Sequence, residues 1–372
     1  MKIAPFGVEQ WMNEYETRCT HNLAETCVES LTVAQLLDLA GHGDSLLRQL
    51  LPLKLTYGAI EGSDRLRSAV AALYDRQAAG NVMIAHGAVG ANHLVHLTLV
   101  EPGDRVVSVL PTYQQHYSIP ESIGADVRLL RLREENAWLP DLEELAALVD
   151  GGAKLVAINN PNNPTGSLMD RAFLEQVVRI CDHAGAWLLC DEVYRGIDQA
   201  DPGTTVSVAD LYERGISTGS MSKAFSLAGL RLGWVVGPTL LIHELSVHRD
   251  YNTISVGMVD DLLASVALES APAILDRNRA LTRANLATLS DWVEAQPQIS
   301  WVKPQGGTTA LLRHDMPMTS RQLCVRLIEE TGVMLTPGSA MSMEGYLRIG
   351  YANNPAVLAD GLPLLGGFLD NA

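Results

Sequence analysis

The stretch Ser220-Met221-Ser222-Lys223-Ala224-Phe225-Ser226-Leu227-Ala228-Gly229-Leu230-Arg231-Leu232-Gly233-Trp234 places one lysine among serines, glycines and small residues, with an arginine following. A lysine forms a Schiff base with a carbonyl only as the neutral amine, so its surroundings must disfavour the ammonium by burial or a neighbouring cation. Arg231 is placed to supply that cation and a phosphate contact as well. The stretch therefore asks for a phosphorylated carbonyl cofactor, of which pyridoxal 5′-phosphate (PLP) is the obvious one. A loop lysine beside an ordinary strand is the other reading open at this point.

The elements that would position Lys223 follow a repeating pattern. Met83-Ile84-Ala85 reads as a short strand, and His86-Gly87-Ala88-Val89-Gly90-Ala91-Asn92 opens an apolar helix. A strand, a small-residue turn and a helix start put backbone N–H groups and the positive end of a helix dipole at one point, which suits a phosphate. Arg105 to Leu110 reads as a buried strand with Tyr113 after it. Residues 125–131, 154–159 and 187–190 are strand-like, and 141–149 and 170–184 helical, the latter closed by Gly185.

Such alternation implies parallel strands with helical crossovers, and ligands gather at the carboxyl ends of those strands. His86-Gly87, Tyr113, Asn163, Asp191 and Lys223 each follow a strand. From about Leu240 this rhythm stops. Residues 258–295 read as long helices, and strands at 299–302, 310–312, 333–335 and 346–351 form a second, smaller α+β unit. Three segments result: an arm contributing to the small domain (1–45), a large cofactor-binding domain (46–255), and a linking helix with the carboxyl-terminal small domain (256–372). Residues 1–20, with Trp11, Met12 and Tyr15, suit a short amphipathic helix lying on the body.

The chain has 372 residues and a formal net charge of −16. No basic run interleaves with aromatics, so nucleic acid is not expected as a partner. Five scattered cysteines without paired spacing argue for a reducing compartment, the cytoplasm, rather than a disulfide framework. Met1 to Gln10 lacks a signal-peptide core and no apolar run approaches a membrane span. His86, His93 and His96 lack accompanying carboxylates at helical spacing, and no metal is assigned.

Asn159-Asn160-Pro161-Asn162-Asn163-Pro164-Thr165-Gly166 is a rigid polar loop after one buried strand, and Asp191-Glu192-Val193-Tyr194 ends the next. With the lysine stretch, these motifs in this order resemble the class I/II aminotransferases of PLP fold type I, from Tyr57 to Arg348. That resemblance implies an α/β fold: a mostly parallel seven-stranded sheet between helices, plus the smaller α+β domain.

It further implies that Lys223 forms the Schiff base and moves a proton at the substrate α-carbon, and that Asp191 lies under the pyridine nitrogen. Asn163 and Tyr194 then hold the phenolic oxygen, and Tyr113 stacks on the ring. Gly87, Ala88, Val89, Ser220, Ser222 and Arg231 hold the phosphate, with Tyr57 arriving from a second subunit of a homodimer with shared sites. Arg348 takes the α-carboxylate of an amino-acid substrate through its planar fork.

Two regions depart from the family pattern. His21 to Ser30 stands where a glycine-proline signature is usual, and Pro337-Gly338-Ser339-Ala340-Met341-Ser342 replaces a Pro-Gly-Phe-Gly pattern. The opening Ala4 to Met12 and Glu25 to Ser30 resemble a natural-product branch of capreomycidine synthase-like and lincosamide-pathway PLP enzymes. The expectation is an aminotransferase-like enzyme of secondary metabolism. The alternatives are a C–S β-eliminase or a dioxygen-dependent oxidative decarboxylase or deaminase of an S-conjugated cysteine intermediate, and, in another class, a non-catalytic PLP-binding protein. Glu25 and Thr26 are the candidate substrate-side residues, together with Asn163. Glu9, Glu14, Glu16, Glu25 and Glu29 form either a site for a cationic side chain or a solvated acidic face.

Overall fold

The computed structural model describes residues 2–41, 43 and 45–371. At the amino terminus, helix α1 (Gly7–Tyr15) turns Trp11 into the protein, where its indole N–H donates to the Leu335 carbonyl at 2.9 Å. Strand β1 (His21–Asn22) follows at once.

Seven strands then make the main sheet: β2 (Val82–Ala85), β3 (Arg105–Leu110), β4 (Asp126–Arg131), β5 (Leu155–Asn159), β6 (Trp187–Asp191), β7 (Gly215–Ser220) and β8 (Gly233–Val236). Their spatial order is β2-β8-β7-β6-β5-β3-β4. Only β8 runs against its neighbours, pairing antiparallel with β2 and β7.

The central strands are apolar along their length because both faces are covered. In β5, Leu155 and Ala157 pack with the Gly87–Leu99 helix side, while Val156 and Ile158 pack with the Arg171–Ala184 side. That alternation is the period-two geometry of a strand buried twice. The crossover helix Arg171–Ala184 starts where Asp170 accepts the Phe173 N–H and stops at Gly185 in the left-handed conformation, at the residues that punctuate it in sequence.

The second sheet joins β9 (Ile299–Ser300), β10 (Thr309–His314), β12 (Thr336–Pro337) and β13 (Tyr346–Gly350) in the order β12-β13-β10-β9. Strand β11 (Val333–Met334) pairs parallel with β1, His21 opposite Val333. A separate core forms here from Trp11, Leu23, Leu289, Leu312, Leu327, Leu347 and Phe368, among others. Leu36, Leu37 and Leu46 instead pack with β2 and β8, so the amino-terminal segment crosses from one core to the other between Ala24 and Val28.

The strand expectations shift at their ends: residues 299–302 shorten to Ile299–Ser300, and 310–312 lengthen to Thr309–His314. Among the described residues, no helix is long and apolar enough to cross a membrane.

Candidate active site

Polar residues collect where β2, β3, β5, β6 and β7 end. β6 finishes on Asp191, β5 on Asn159 and β7 on Ser220, and a cavity of about 320 Å³ opens above them. Of the residues that the family resemblance assigns to the cofactor or substrate, and the substrate-side candidates Glu25 and Thr26, it is lined by Glu25, Thr26, Ala88, Val89, Tyr113, Asn163, Asp191, Tyr194, Ser220, Ser222, Lys223, Arg231 and Arg348.

Two are not on its wall. Gly87 is the first residue of its helix and lies just behind, its side-chain position 3.2 Å from an Arg231 Nη2. Tyr57 is 75% exposed in its loop and does not line the cavity of its own chain.

The floor is a chain of hydrogen bonds. Asp191 is 4% exposed, and its carboxylate accepts from Asn92 Nδ2 at 2.9 Å and from the Val193 N–H at 3.2 Å. Asn92 is fixed in turn by Thr218 Oγ1, which donates to its Oδ1 at 2.7 Å. His116 Nε2 stands 3.5 Å from Asp191 Oδ2, fully buried. Asn159 donates to the Asp191 carbonyl at 2.7 Å and accepts the Asn163 N–H at 2.6 Å, tying the polar loop to the carboxylate. A buried carboxylate held this way offers a fixed counter-charge to a cation in the cavity, and a protonated ring nitrogen is such a cation.

At the other side Gly233 lies so close to the helix start that a side chain there would fall 2.4 Å from the Gly87 carbonyl carbon and 2.5 Å from the Ala88 nitrogen. The helix terminus, Ser220, Ser222 and the Arg231 guanidinium thus close a cup of donors around one point, the requirement of a phosphate. Cup, buried carboxylate and lysine fit PLP.

Arg348 is 3% exposed and has no carboxylate within ion-pairing distance among the described residues. Its Nη1 donates to Asn163 Oδ1 at 3.3 Å, its Nη2 to Thr336 Oγ1 at 3.1 Å and to the Ala24 carbonyl at 3.4 Å, and its Nε has no partner. Burial lowers its pKa, with Tyr194 and Glu25 opposing. A desolvated guanidinium with an unspent donor on a cavity wall is a seat for an anion.

The surroundings of Lys223 correct one expectation. Burial does disfavour its ammonium, but Cys27, Tyr194 and Glu25 outweigh it and its pKa is raised. Arg231, expected to lower it, is turned to the Ala228 carbonyl at 3.1 Å and to Gly87. Lys223 Nζ instead donates to Thr26 Oγ1 at 2.6 Å and to Cys27 Sγ at 3.4 Å. These partners favour the ammonium, so Lys223 must lose a proton before its nitrogen can act as a nucleophile.

The remaining wall comes from α1. Val8, Glu9, Met12 and Glu16 recur at helical spacing and face the cavity, while Trp11 faces the core. Glu9 accepts from the Tyr113 hydroxyl at 3.1 Å. Burial, then Glu25 and Glu9, raise the pKa of Glu16, whereas Lys223 and the Thr26 and Cys27 N–H groups overcome burial to lower that of Glu25. Of the other acidic candidates, Glu14 pairs with Arg321 at 3.2 Å and Glu29 meets Asn354 at 3.5 Å, so these two are not part of the wall. Asn92, His116, Cys27, Met12 and Asn159 are site residues to which the sequence assigned no individual role.

A type I PLP fold with its lysine, carboxylate and phosphate cup in place defines the class, a PLP-dependent enzyme. The chain belongs to the class I and II aminotransferase family, whose model matches residues 52–360. It is 33% identical to capreomycidine synthase of Streptomyces vinaceus over 93% of this chain and 88% of that one. A PLP-dependent aminotransferase structure from Streptococcus suis 89-1591 superposes with a TM-score of 0.97 at 41% identity, covering 100% of this chain and 99% of the other. The PLP-dependent cyclase OrfR gives a TM-score of 0.92 at 27% identity, over 100% and 98%.

Proposed function

We propose that this PLP enzyme acts on the α-amino group of an amino acid with a cationic side chain, in secondary metabolism. The observation that carries this reading is the charge layout of one cavity: buried Arg348, free of any carboxylate partner, and the carboxylates Glu9, Glu16 and Glu25, none ion-paired with a basic side chain among the described residues. An amino acid offers the complement, an α-carboxylate for the guanidinium and a terminal cation for the acidic wall.

PLP when bound supplies an electron sink that stabilises negative charge at the substrate α-carbon. The chain does the rest. Asp191 would meet the ring nitrogen and its proton, and Tyr194, Asn163 and Tyr113 would hold the ring. The cup fixes the phosphate, and Lys223 Nζ carries the proton to and from the α-carbon. Tyr57, exposed and outside its own cavity, fits a role in the site of a second copy, which makes the active unit a homodimer. The cytoplasm is the expected compartment.

A second reading is favoured by the wall at Glu25 to Cys27, where a glycine-proline signature gives way to a hydroxyl and a thiol on Lys223. Together with similarity to a synthase and a cyclase, this supports chemistry other than simple amino transfer, including elimination, cyclisation or dioxygen-dependent decarboxylation. The test is the visible spectrum of the cofactor-loaded protein on adding L-arginine, L-ornithine, and the neutral isostere L-citrulline, followed by product analysis. A spectral response to arginine or ornithine at concentrations at least about tenfold below citrulline is expected. Keto acid with stoichiometric pyridoxamine phosphate identifies transamination; a new cyclic or unsaturated product, or dioxygen uptake, identifies the second reading. Equal response to arginine and citrulline removes the cationic substrate.

A further inference from the structure

Five cysteines are present, and three of them, Cys181, Cys190 and Cys324, are members of apolar clusters. Cys19 packs against the edge of one. Cys27 belongs to none: it lines the cavity with its Sγ 3.4 Å from Lys223 Nζ, and its backbone N–H is held by the Glu25 carboxylate.

That carboxylate is rigidly held, Oε1 accepting the Thr26 and Cys27 N–H groups at 2.7 Å each. The segment itself is pinned from two sides, since Thr308 Oγ1 donates to the Thr26 carbonyl at 2.7 Å and Arg348 Nη2 to the Ala24 carbonyl. Thiol and carboxylate thus reach the lysine as a preset unit. Among the described residues Glu25 makes no ion pair with Nζ, and its charge acts on the lysine through space.

We propose that Cys27, whose backbone N–H is fixed on the Glu25 carboxylate, is a positioning residue for Lys223: its sulfur receives one Nζ–H of the free amine. Thr26 receives a second Nζ–H at 2.6 Å, which aims the remaining valence of the nitrogen into the cavity. A positive charge arising on the lysine nitrogen is then stabilised by the polarisable sulfur and, through space, by Glu25, without the carboxylate touching the nitrogen and trapping the proton. No covalent bond changes and the thiol keeps its proton. This inference rests on Lys223 being the proton-carrying amine described above.

The other charged or titratable groups that share the cavity with Lys223 are Glu9 and Glu16 from α1, Tyr113 after β3, Asp191 and Tyr194 after β6, Arg231, and Arg348 on β13. Of these, Tyr194 also feels Cys27, which contributes to its raised pKa after burial. The test is carried out on cofactor-loaded Cys27→Ala, Cys27→Ser and Glu25→Gln proteins, with thermal melting and cofactor stoichiometry confirming that each is folded and loaded.

The readout is the midpoint, in pH, of the visible absorbance change of the lysine-bound cofactor. Cys27→Ala and Glu25→Gln lower that midpoint by about one unit, and Cys27→Ser restores most of the shift. With a responsive amino acid, kcat of Cys27→Ala falls about tenfold while KM stays within about twofold, and serine recovers part of the loss. A midpoint unchanged in Cys27→Ala, or a serine variant as shifted as alanine, overturns the proposal. A wild-type spectrum that answers no amino acid would sink the functional reading instead, and the midpoint of the loaded protein would still decide this one.

Discussion

The cavity has two walls of different origin. The cofactor side is built from strand ends of one sheet: Asp191, Asn159 and Ser220 are each the last residue of a strand, and Asp191 is tied to the adjacent strand by Asn159 and to the helix after β2 by Asn92. The substrate side is assembled from α1, the segment after β1 and Arg348 of β13, pieces that meet only through long-range contacts such as Arg348 to Ala24. The first wall is common to every reaction PLP supports, since all need the same sink. The second faces the bond to be broken and the groups around it, so variation there changes substrate and outcome while the cofactor wall stays constant.

Two glycines separate the walls experimentally. The largest effect is expected from Gly233→Ala, whose methyl group meets the Gly87–Ala88 backbone at the phosphate cup. Cofactor affinity, measured by absorbance titration, should fall roughly 100-fold, because backbone on both sides cannot yield as a flexible side chain could. Gly350→Ala strikes the other wall, its methyl group falling 1.7 Å from the Glu25 carbonyl oxygen. It should leave cofactor affinity within about threefold yet cut kcat/KM about 30-fold through displacement of residues 25–27. Loss of cofactor from Gly350→Ala would show that the walls are not separable.

His116→Phe sharpens the comparison within the cofactor wall. It removes the imidazole beside Asp191 and should lower kcat about fivefold, with cofactor still bound, because Asn92 and the Val193 N–H remain on the carboxylate. A loss as large as that of Gly233→Ala would make His116 a primary anchor.

The seam between the walls carries the smallest change in activity. Asp198 bridges to Gly306 and is buried with Oδ1 unpartnered; burial raises its pKa to about 6 from 3.8, Arg195, Arg279 and Arg283 opposing. The folded chain therefore retains this proton where the unfolded chain has lost it. Stability falls as pH rises from about 4 to about 6, with the full penalty present above. Asp198→Asn should raise the melting temperature at pH 8 by an amount on the order of 2 kcal/mol in stability, and much less at pH 5, with activity unchanged. An equal gain at both pH values would refute the titration.

The same division governs what the sequence discloses. Lys223, Asp191, Asn163, Tyr113 and Arg231 are legible because each follows a strand or sits in a contiguous motif, and contiguity is what a sequence displays. The Asp170 cap and Gly185 stop locate a crossover helix for the same reason. Cys27, Asn92 and His116 were invisible as site residues because their partners are distant in the chain and their local patterns suit a loop and two helix faces. Glu9 and Glu16 stood among five acidic candidates, and only the packing of α1 separates them from Glu14, on the opposite side with Arg321. The raised pKa of Lys223 reversed an expectation drawn from Arg231, since nearness in sequence did not place that guanidinium on the amine.

Strand β1 finds its partner only in β11, and Ala24 meets Arg348 across 324 residues of chain. A ribosome therefore delivers the segment that completes the lysine's surroundings first and the strands that hold it last. The cofactor-binding sheet, closed at β8, can form before then. The sheet that seats the coenzyme is thus complete at β8, whereas the wall that directs its reactivity requires β11 and β13 and the closure of a long chain loop.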